Sequence, residues 1–120
     1  MQNKRQEGAF YEEKAAEYLE KAGYRILERN YRRKTGEIDL IAAGKGYLVF
    51  VEVKYRKDRD LGLPEEAVTR NKQGRIFRTA QWYMKEKHIA FDTPCRFDVI
   101  AVEGAEGEEI IRHIENAYGM

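Results

Sequence analysis

Two short apolar runs, each with acidic side chains set inside it, constrain this chain of 120 residues more than any other feature. The first is Gly36-Glu37-Ile38-Asp39-Leu40-Ile41-Ala42, and the second is Val49-Phe50-Val51-Glu52-Val53-Lys54. Both read as β-strands. Val49, Val51 and Val53 alternate with Phe50, Glu52 and Lys54, so Glu52 and Lys54 share one face. The same period puts Glu37 and Asp39 on one face of the earlier strand, with Ile38 and Leu40 on the other. The link Ala43-Gly44-Lys45-Gly46 is short and glycine-rich, which predicts an antiparallel hairpin that brings Asp39 beside Glu52 and Lys54. The stretch from Tyr47 to Val53 is almost unbroken in its apolarity, as in a strand covered on both faces. Charges placed there are costly unless a metal or a partner compensates them.

Those residue types suit one chemistry. Mg²⁺ (or Mn²⁺) prefers a near-octahedral shell of oxygens and keeps several waters, so one or two carboxylates and a substrate phosphate can hold it. Asp39, Glu52 and the backbone carbonyl of Val53 are the expected protein ligands. The Lys54 ammonium then points at the same spot, where it can orient the attacking water and stabilise charge developing on a phosphate. The competing reading is a set of structural ion pairs on a solvated strand face.

The pattern Asp39 followed by Glu52-Val53-Lys54 resembles the PD-(D/E)xK nuclease signature, with Ile38 standing where that signature has its Pro. The chain as a whole resembles the YraN-like family of small bacterial proteins, which is similar to archaeal Holliday-junction resolvases. The resemblance runs from about Gly8 to Val102. It is carried by Gly8, Glu12 and Ala15, by Gly36 to Ile41, by Phe50 to Arg56, by Gly62, Pro64 and Glu66 to Val68, and by Arg96 to Val99. It implies a metal-dependent endonuclease acting on DNA phosphodiester bonds, with branched or structured DNA as the substrate class, and a homodimer that presents two sites to a symmetric junction. The alternative is a non-catalytic nucleic-acid-binding module that keeps the nuclease fold.

Net charge is only +1, but its distribution is uneven. Residues 25–59 carry ten Lys or Arg against five Asp or Glu, an excess of +5, whereas residues 103–120 carry one Arg against five Glu, or −4. Arg32, Arg33 and Lys34 precede the Asp39 strand, and Arg56 and Lys57 follow the Glu52 strand. A basic rim around the proposed site would bind phosphates in a salt-sensitive way.

Before the site, Tyr11, Ala15, Tyr18, Leu19 and Ala22 form a helical stripe over about Glu7 to Ala22, with Gly23 as its stop. At about 100° per residue, Glu12 lies at the edge of that stripe and Glu13 points away, so Glu12 is the acid that faces the core or the site. In the resolvases that the chain resembles, a first-helix Glu approaches the metal, which makes Glu12 a further catalytic and ligand candidate. Residues from Tyr24 to Arg29 read as a first strand ending at Asn30. A second helix is expected between about Pro64 and Lys87, perturbed near Thr69 to Asn71. Its apolar stripe is Ile76, Ala80, Tyr83 and Met84, with Lys72, Arg75 and Arg78 displaced from it as a cationic row for DNA backbone. Trp82 is read as a packing residue rather than a base-stacking platform. Residues 96–102 give a fourth strand, in which Asp98 is read as the ion-pair partner of Arg96 rather than a ligand, and Ile110 to Ile114 a strand that pairs with it.

The element order is therefore α-β-β-β-α-β with a final strand. That is an α/β fold with a restriction-endonuclease-like core, a mixed central sheet flanked by helices, in one domain over residues 1–120. Residues 1–6 are expected to be a flexible start and residues 103–120 an acidic end. Neither His88 nor His113 has a partner at zinc-ligand spacing. The single Cys95 permits no internal disulfide. No phosphate-binding Gly loop, Ser-His-Asp arrangement or dinucleotide fingerprint is present. No stretch reaches the roughly 18 apolar residues of a membrane span, and the polar start lacks a signal core, so a cytoplasmic protein without membrane contact is expected.

Overall fold

The computed structural model describes residues 4–56, 68–105 and 107–119. Helix α1 (Lys4–Lys21) leads into strands β1 (Arg25–Arg33), β2 (Gly36–Gly44) and β3 (Tyr47–Arg56); helix α2 (Arg70–Glu86) follows, then β4 (Cys95–Glu103) and β5 (Ile110–Ile114). The strands form one five-stranded sheet in the order β1-β2-β3-β4-β5. β3 and β4 are parallel and every other neighbouring pair is antiparallel. A parallel pair needs a crossover, and α2 lies in that connection.

The two helices cover opposite faces of the sheet. Under α1, Tyr11, Ala15, Ala16 and Leu19 pack against Leu40, Ala42, Val49, Val51, Ile100 and Val102. Under α2, Ile76, Ala80 and Tyr83 pack against Tyr31, Ile38, Ile41, Phe50, Phe97 and Val99. Burying each large apolar side chain contributes about 1.5–3 kcal/mol, so these two layers, rather than helix propensity, hold α1 and α2 in place. The hairpin between β2 and β3 closes through Lys45 and Gly46, both with positive φ (54° and 85°), as a tight two-residue turn requires. Among the described residues no helix is long and apolar enough to cross a membrane.

Several boundaries differ from the sequence reading. α1 begins at Lys4 rather than Glu7, so residues 4–6 are helical instead of belonging to a flexible start. α2 begins at Arg70, with Thr69 as N-cap accepting the Lys72 N–H at 3.2 Å; the expected stretch before Val68, Lys57 and the motif residues from Gly62 to Ala67 lie outside the described residues. β1 does not end at Asn30 but continues to Arg33. Asn30 adopts φ 51°, a left-handed conformation that Asn tolerates better than most residues, and the ladder resumes beyond it with Tyr31 opposite Ile38. The alternation expected along β2 also breaks: Ile38 joins the layer under α2, whereas Leu40 joins the layer under α1. Asp39 sits at that change of face.

Trp82 is not a packing residue. It is 46% exposed on the outer side of α2, where the Lys85 ammonium lies 5.8 Å from its ring, while Ile76, Ala80 and Tyr83 take the core positions.

Candidate functional site

Continuous apolar sequence buries β3 on both faces, and this carries Glu52 inward until it is only 5% exposed. The paired register of β2 and β3 runs from Gly44 opposite Tyr47 to Leu40 opposite Val51, the step before Asp39 and Glu52. There the Asp39 side chain takes over from the backbone: its Oδ2 accepts the Val53 N–H at 2.8 Å. That bond fixes the Asp39 carboxylate beside β3. Val53 thus meets Asp39 through its amide.

Two lysines approach Glu52. Lys54 follows it on the same strand face with Nζ 3.4 Å from Oε1, as the period-two pattern requires. Lys72 arrives from the first turn of α2 with Nζ 2.5 Å from the same oxygen. Lys72, read from the sequence as a member of the cationic row of α2, thus has its ammonium against Glu52. Gly36 helps bring α2 close, since a Cβ there would stand 3.2 Å from Thr79 Oγ1 and 3.3 Å from Arg75 Cβ.

The electrostatics follow from burial. Burial first, then the neighbouring Glu52 charge, push the Asp39 carboxyl up to about 8, with Glu12 and Glu37 adding to the same effect and the Val53 N–H opposing it. Glu12 is also raised, chiefly by burial, although it accepts a hydrogen bond from Asn30. The Lys54 ammonium is lowered by burial despite the pull of Glu52. For Lys72 burial is again the largest single influence and acts in the same direction, but the hydrogen bond and charge of Glu52, with smaller contributions from Lys54 and Asp39, together outweigh it and the net shift is upward.

Two cavities meet at Asp39. One of about 390 Å³ is lined by Arg32, Arg33, Glu37, Asp39, Glu52, Lys72 and Arg75. A second of about 690 Å³ opens toward α1 and is lined by Gly8, Ala9, Glu12, Asn30, Arg32, Glu37 and Asp39. The sequence had placed Glu12 on the inward edge of its helix, and that is where it lies. Two participants lie outside the sequence reading of the site: Asn30, which bonds Glu12, and Glu37, which lines both cavities beside Asp39. No sequence period announces Asn30, because its role depends on the left-handed step in β1.

The basic residues divide by what they already hold. Arg32 lies 3.2 Å from Glu37 and is largely exposed. Arg33 is committed to Glu86 of α2 through Nε at 2.6 Å and Nη2 at 2.8 Å, and lies over the Tyr31 ring. Arg75 lines the first cavity and Lys34 stands exposed in the turn after β1. Arg56 ends β3, with its backbone carbonyl accepting the Gly104 N–H at 2.9 Å.

Asp98 is apart from this site. It is fully buried on the α1 face and accepts bonds from Arg96 Nε (3.0 Å) and Nη2 (2.7 Å), and from the Asn116 N–H (2.9 Å). His113 Nε2 lies 2.6 Å from Oδ2, the oxygen that also accepts Arg96 Nη2. Burial works against the Asp98 charge, but His113, Arg96 and Asn116 outweigh it and hold the carboxyl below its ordinary range. The ion-pair reading is correct, and the partner set is larger than Arg96 alone.

Could these residues hold a hard divalent cation? Among the described residues no three His, Cys, Asp or Glu side chains converge as a ready-made ligand set. Asp39 and Glu52 nonetheless bring two buried carboxylates together, and burial, then the Glu52 charge, hold the Asp39 carboxyl up to about 8. An all-oxygen pair of buried carboxylates, open to a cavity with room for waters and a phosphate, fits the few protein ligands that Mg²⁺ requires.

Comparison with other sequences agrees with the family read from the motifs. A UPF0102 protein of Lachnoclostridium phytofermentans is 51% identical over 116 residues, covering 97% of this chain and 95% of that one. A UPF0102 protein of Symbiobacterium thermophilum is 50% identical over 115 residues (95% and 97%), and one of Sulfurihydrogenibium is 42% identical over 118 residues (98% of each). The family model described as "Uncharacterised protein family UPF0102" matches residues 11–102, and the chain belongs to that family.

Proposed function

We propose that this protein is a divalent-metal-dependent endonuclease that hydrolyses phosphodiester bonds in DNA, with branched or structured DNA as its substrate class. The observation that carries the reading is the buried Asp39–Glu52 pair, with a lysine on the same strand face as Glu52. Asp39, Glu52 and the Val53 carbonyl would hold Mg²⁺ or Mn²⁺, with Glu12 reaching the same region from α1. The ion, when bound, supplies Lewis-acid activation of the phosphate and of water. Asp39 is kept oriented by the Val53 amide and would hold the ion as a carboxylate. Lys54, lowered by burial, stands where it can orient the attacking water and stabilise charge on the scissile phosphate. Arg32, Arg75 and Lys72 line the adjoining cavity and would take neighbouring phosphates. A two-fold dimer would present two such sites to a symmetric junction, as the resemblance to resolvases implies.

Calorimetric titration with Mn²⁺ tests the metal claim: binding should weaken strongly in Asp39→Ala and in Glu52→Ala, and unchanged binding in both would remove it. The absence of a third converging ligand among the described residues favours, as a second reading, a DNA-binding module with the nuclease fold. DNA binding unaltered in Asp39→Asn, with no cleavage of any substrate by the parent, would select that reading.

A further inference from the structure

Both cations at Glu52 compete for one oxygen, and they come from different elements. Lys54 reaches Oε1 at 3.4 Å along β3, while Lys72 reaches it at 2.5 Å from α2. The start of α2 is anchored independently of Glu52. Thr69 accepts the Lys72 N–H at 3.2 Å, the Gln73 side-chain amide donates to the Val68 carbonyl at 2.9 Å, and Gly36 leaves room for the helix against β2. The Lys72 stem is therefore delivered to the cavity whatever its ammonium contacts. Its side chain is 40% exposed against 6% for Glu52, so the lysine has solvent and cavity space to move into and the carboxylate does not.

Resting on the metal reading of the Asp39–Glu52 pair, we propose that Lys72 is a displaceable counter-cation for Glu52. It neutralises the carboxylate while the divalent ion is absent, and turns to a phosphate oxygen of the nucleic acid once the ion takes Glu52. A poorly paired buried carboxylate is destabilising, and Lys54 at 3.4 Å holds Glu52 more loosely than Lys72 at 2.5 Å, so Lys72 is the principal counter-cation whenever the ion is absent. A flexible four-carbon stem with a compact charge suits an exchangeable partner better than a rigid bidentate guanidinium would. Released from Glu52, the Lys72 ammonium shares its cavity with Arg32, Arg33 and Arg75, where a phosphate would sit. Grip on the nucleic acid is then coupled to loading of the metal.

The test is Mn²⁺ titration calorimetry on the full chain, comparing the parent with Lys72→Met, Lys72→Gln and Arg75→Gln. Lys72→Met should bind Mn²⁺ about tenfold tighter or more, because the ion no longer displaces a charge-assisted hydrogen bond. Lys72→Gln, which keeps a neutral donor and a similar shape, should fall between the two and serves if the Met variant does not fold. Arg75→Gln removes a cation from the same cavity without touching Glu52, and should tighten binding less than about threefold through space. Without metal, Lys72→Met should melt below the parent, and Mn²⁺ should raise its Tm by more. Mn²⁺ affinity equal to or weaker than the parent's in Lys72→Met, with binding still abolished by Asp39→Ala, would overturn the proposal and leave the metal reading standing. Equal tightening in Arg75→Gln would overturn it in favour of simple repulsion. Absence of Asp39-dependent binding in parent and variants alike would sink the metal reading and this inference with it.

Discussion

Replacing Asp39 with Asn should remove a specific pH dependence of stability in the metal-free protein. The Asp39 carboxyl is held up to about 8 from an ordinary 3.8. Between those values the folded protein keeps a proton that the unfolded chain has released, so stability is full at low pH and declines as pH rises toward 8. One proton sets the ceiling at about 1.4 kcal/mol per pH unit, or about 4 kcal/mol from pH 5 to pH 8. In a domain of this size about 1 kcal/mol moves Tm by about 4 °C, so the ceiling is a fall of roughly 15 °C. Glu86, pulled down to about 2 by Arg33, acts in the opposite sense, but it loses its contribution only below its ordinary 4.5, outside this window. Thermal melts in EDTA from pH 5 to pH 9 should therefore show the parent losing stability relative to Asp39→Asn. Mn²⁺ at about 100 times its Kd should add about 2.7 kcal/mol and raise the parent's Tm by roughly 10 °C at pH 8. Parallel pH profiles for parent and variant would refute the reasoning, because they would mean that Asp39 carries no anomalous proton.

Lys54→Met should lower cleavage by about a hundredfold or more while changing Mn²⁺ affinity far less, since it removes charge needed most in the transition state; single-turnover kinetics beside calorimetry separates the two. Arg32→Gln and Arg75→Gln should each flatten the salt dependence of DNA binding by about one unit of slope in anisotropy titrations, whereas Arg33→Gln should lower Tm with little change in slope because Arg33 already holds Glu86. Asp98→Ala should lower the unfolding free energy measured in urea by about 3–5 kcal/mol, as Arg96 and His113 would be left facing a buried gap.

The sequence made β2, β3 and their turn legible because period-two alternation, a buried apolar run and a glycine-rich link all describe local geometry. It also placed Glu52 beside Lys54, since residues two apart on a strand share a face whatever the rest of the chain does. Lys72 was harder. Helical spacing shows that it lies off the apolar stripe of α2, but only the tertiary placement of that helix against Gly36 and β2 decides that it ends on Glu52 rather than in solvent. Trp82 misled for the same reason: adjacency to core positions in sequence says little when successive helical residues point about 100° apart. The change of face at Asp39 and the left-handed Asn30 break the alternation on which the strand reading relied. Such local departures from the regular pattern are common where a fold sets a functional side chain.

The most direct measurement is a cleavage screen of the purified chain on duplex, single-stranded, flap and four-way-junction DNA, in Mg²⁺ or Mn²⁺ and in EDTA, with Asp39→Asn run beside the parent. Cuts are expected in at least one structured substrate; they should require the divalent ion and vanish in Asp39→Asn while the variant still binds that DNA. Cleavage that persists in EDTA or in Asp39→Asn, or no cleavage of any substrate by the parent, would contradict the proposed function.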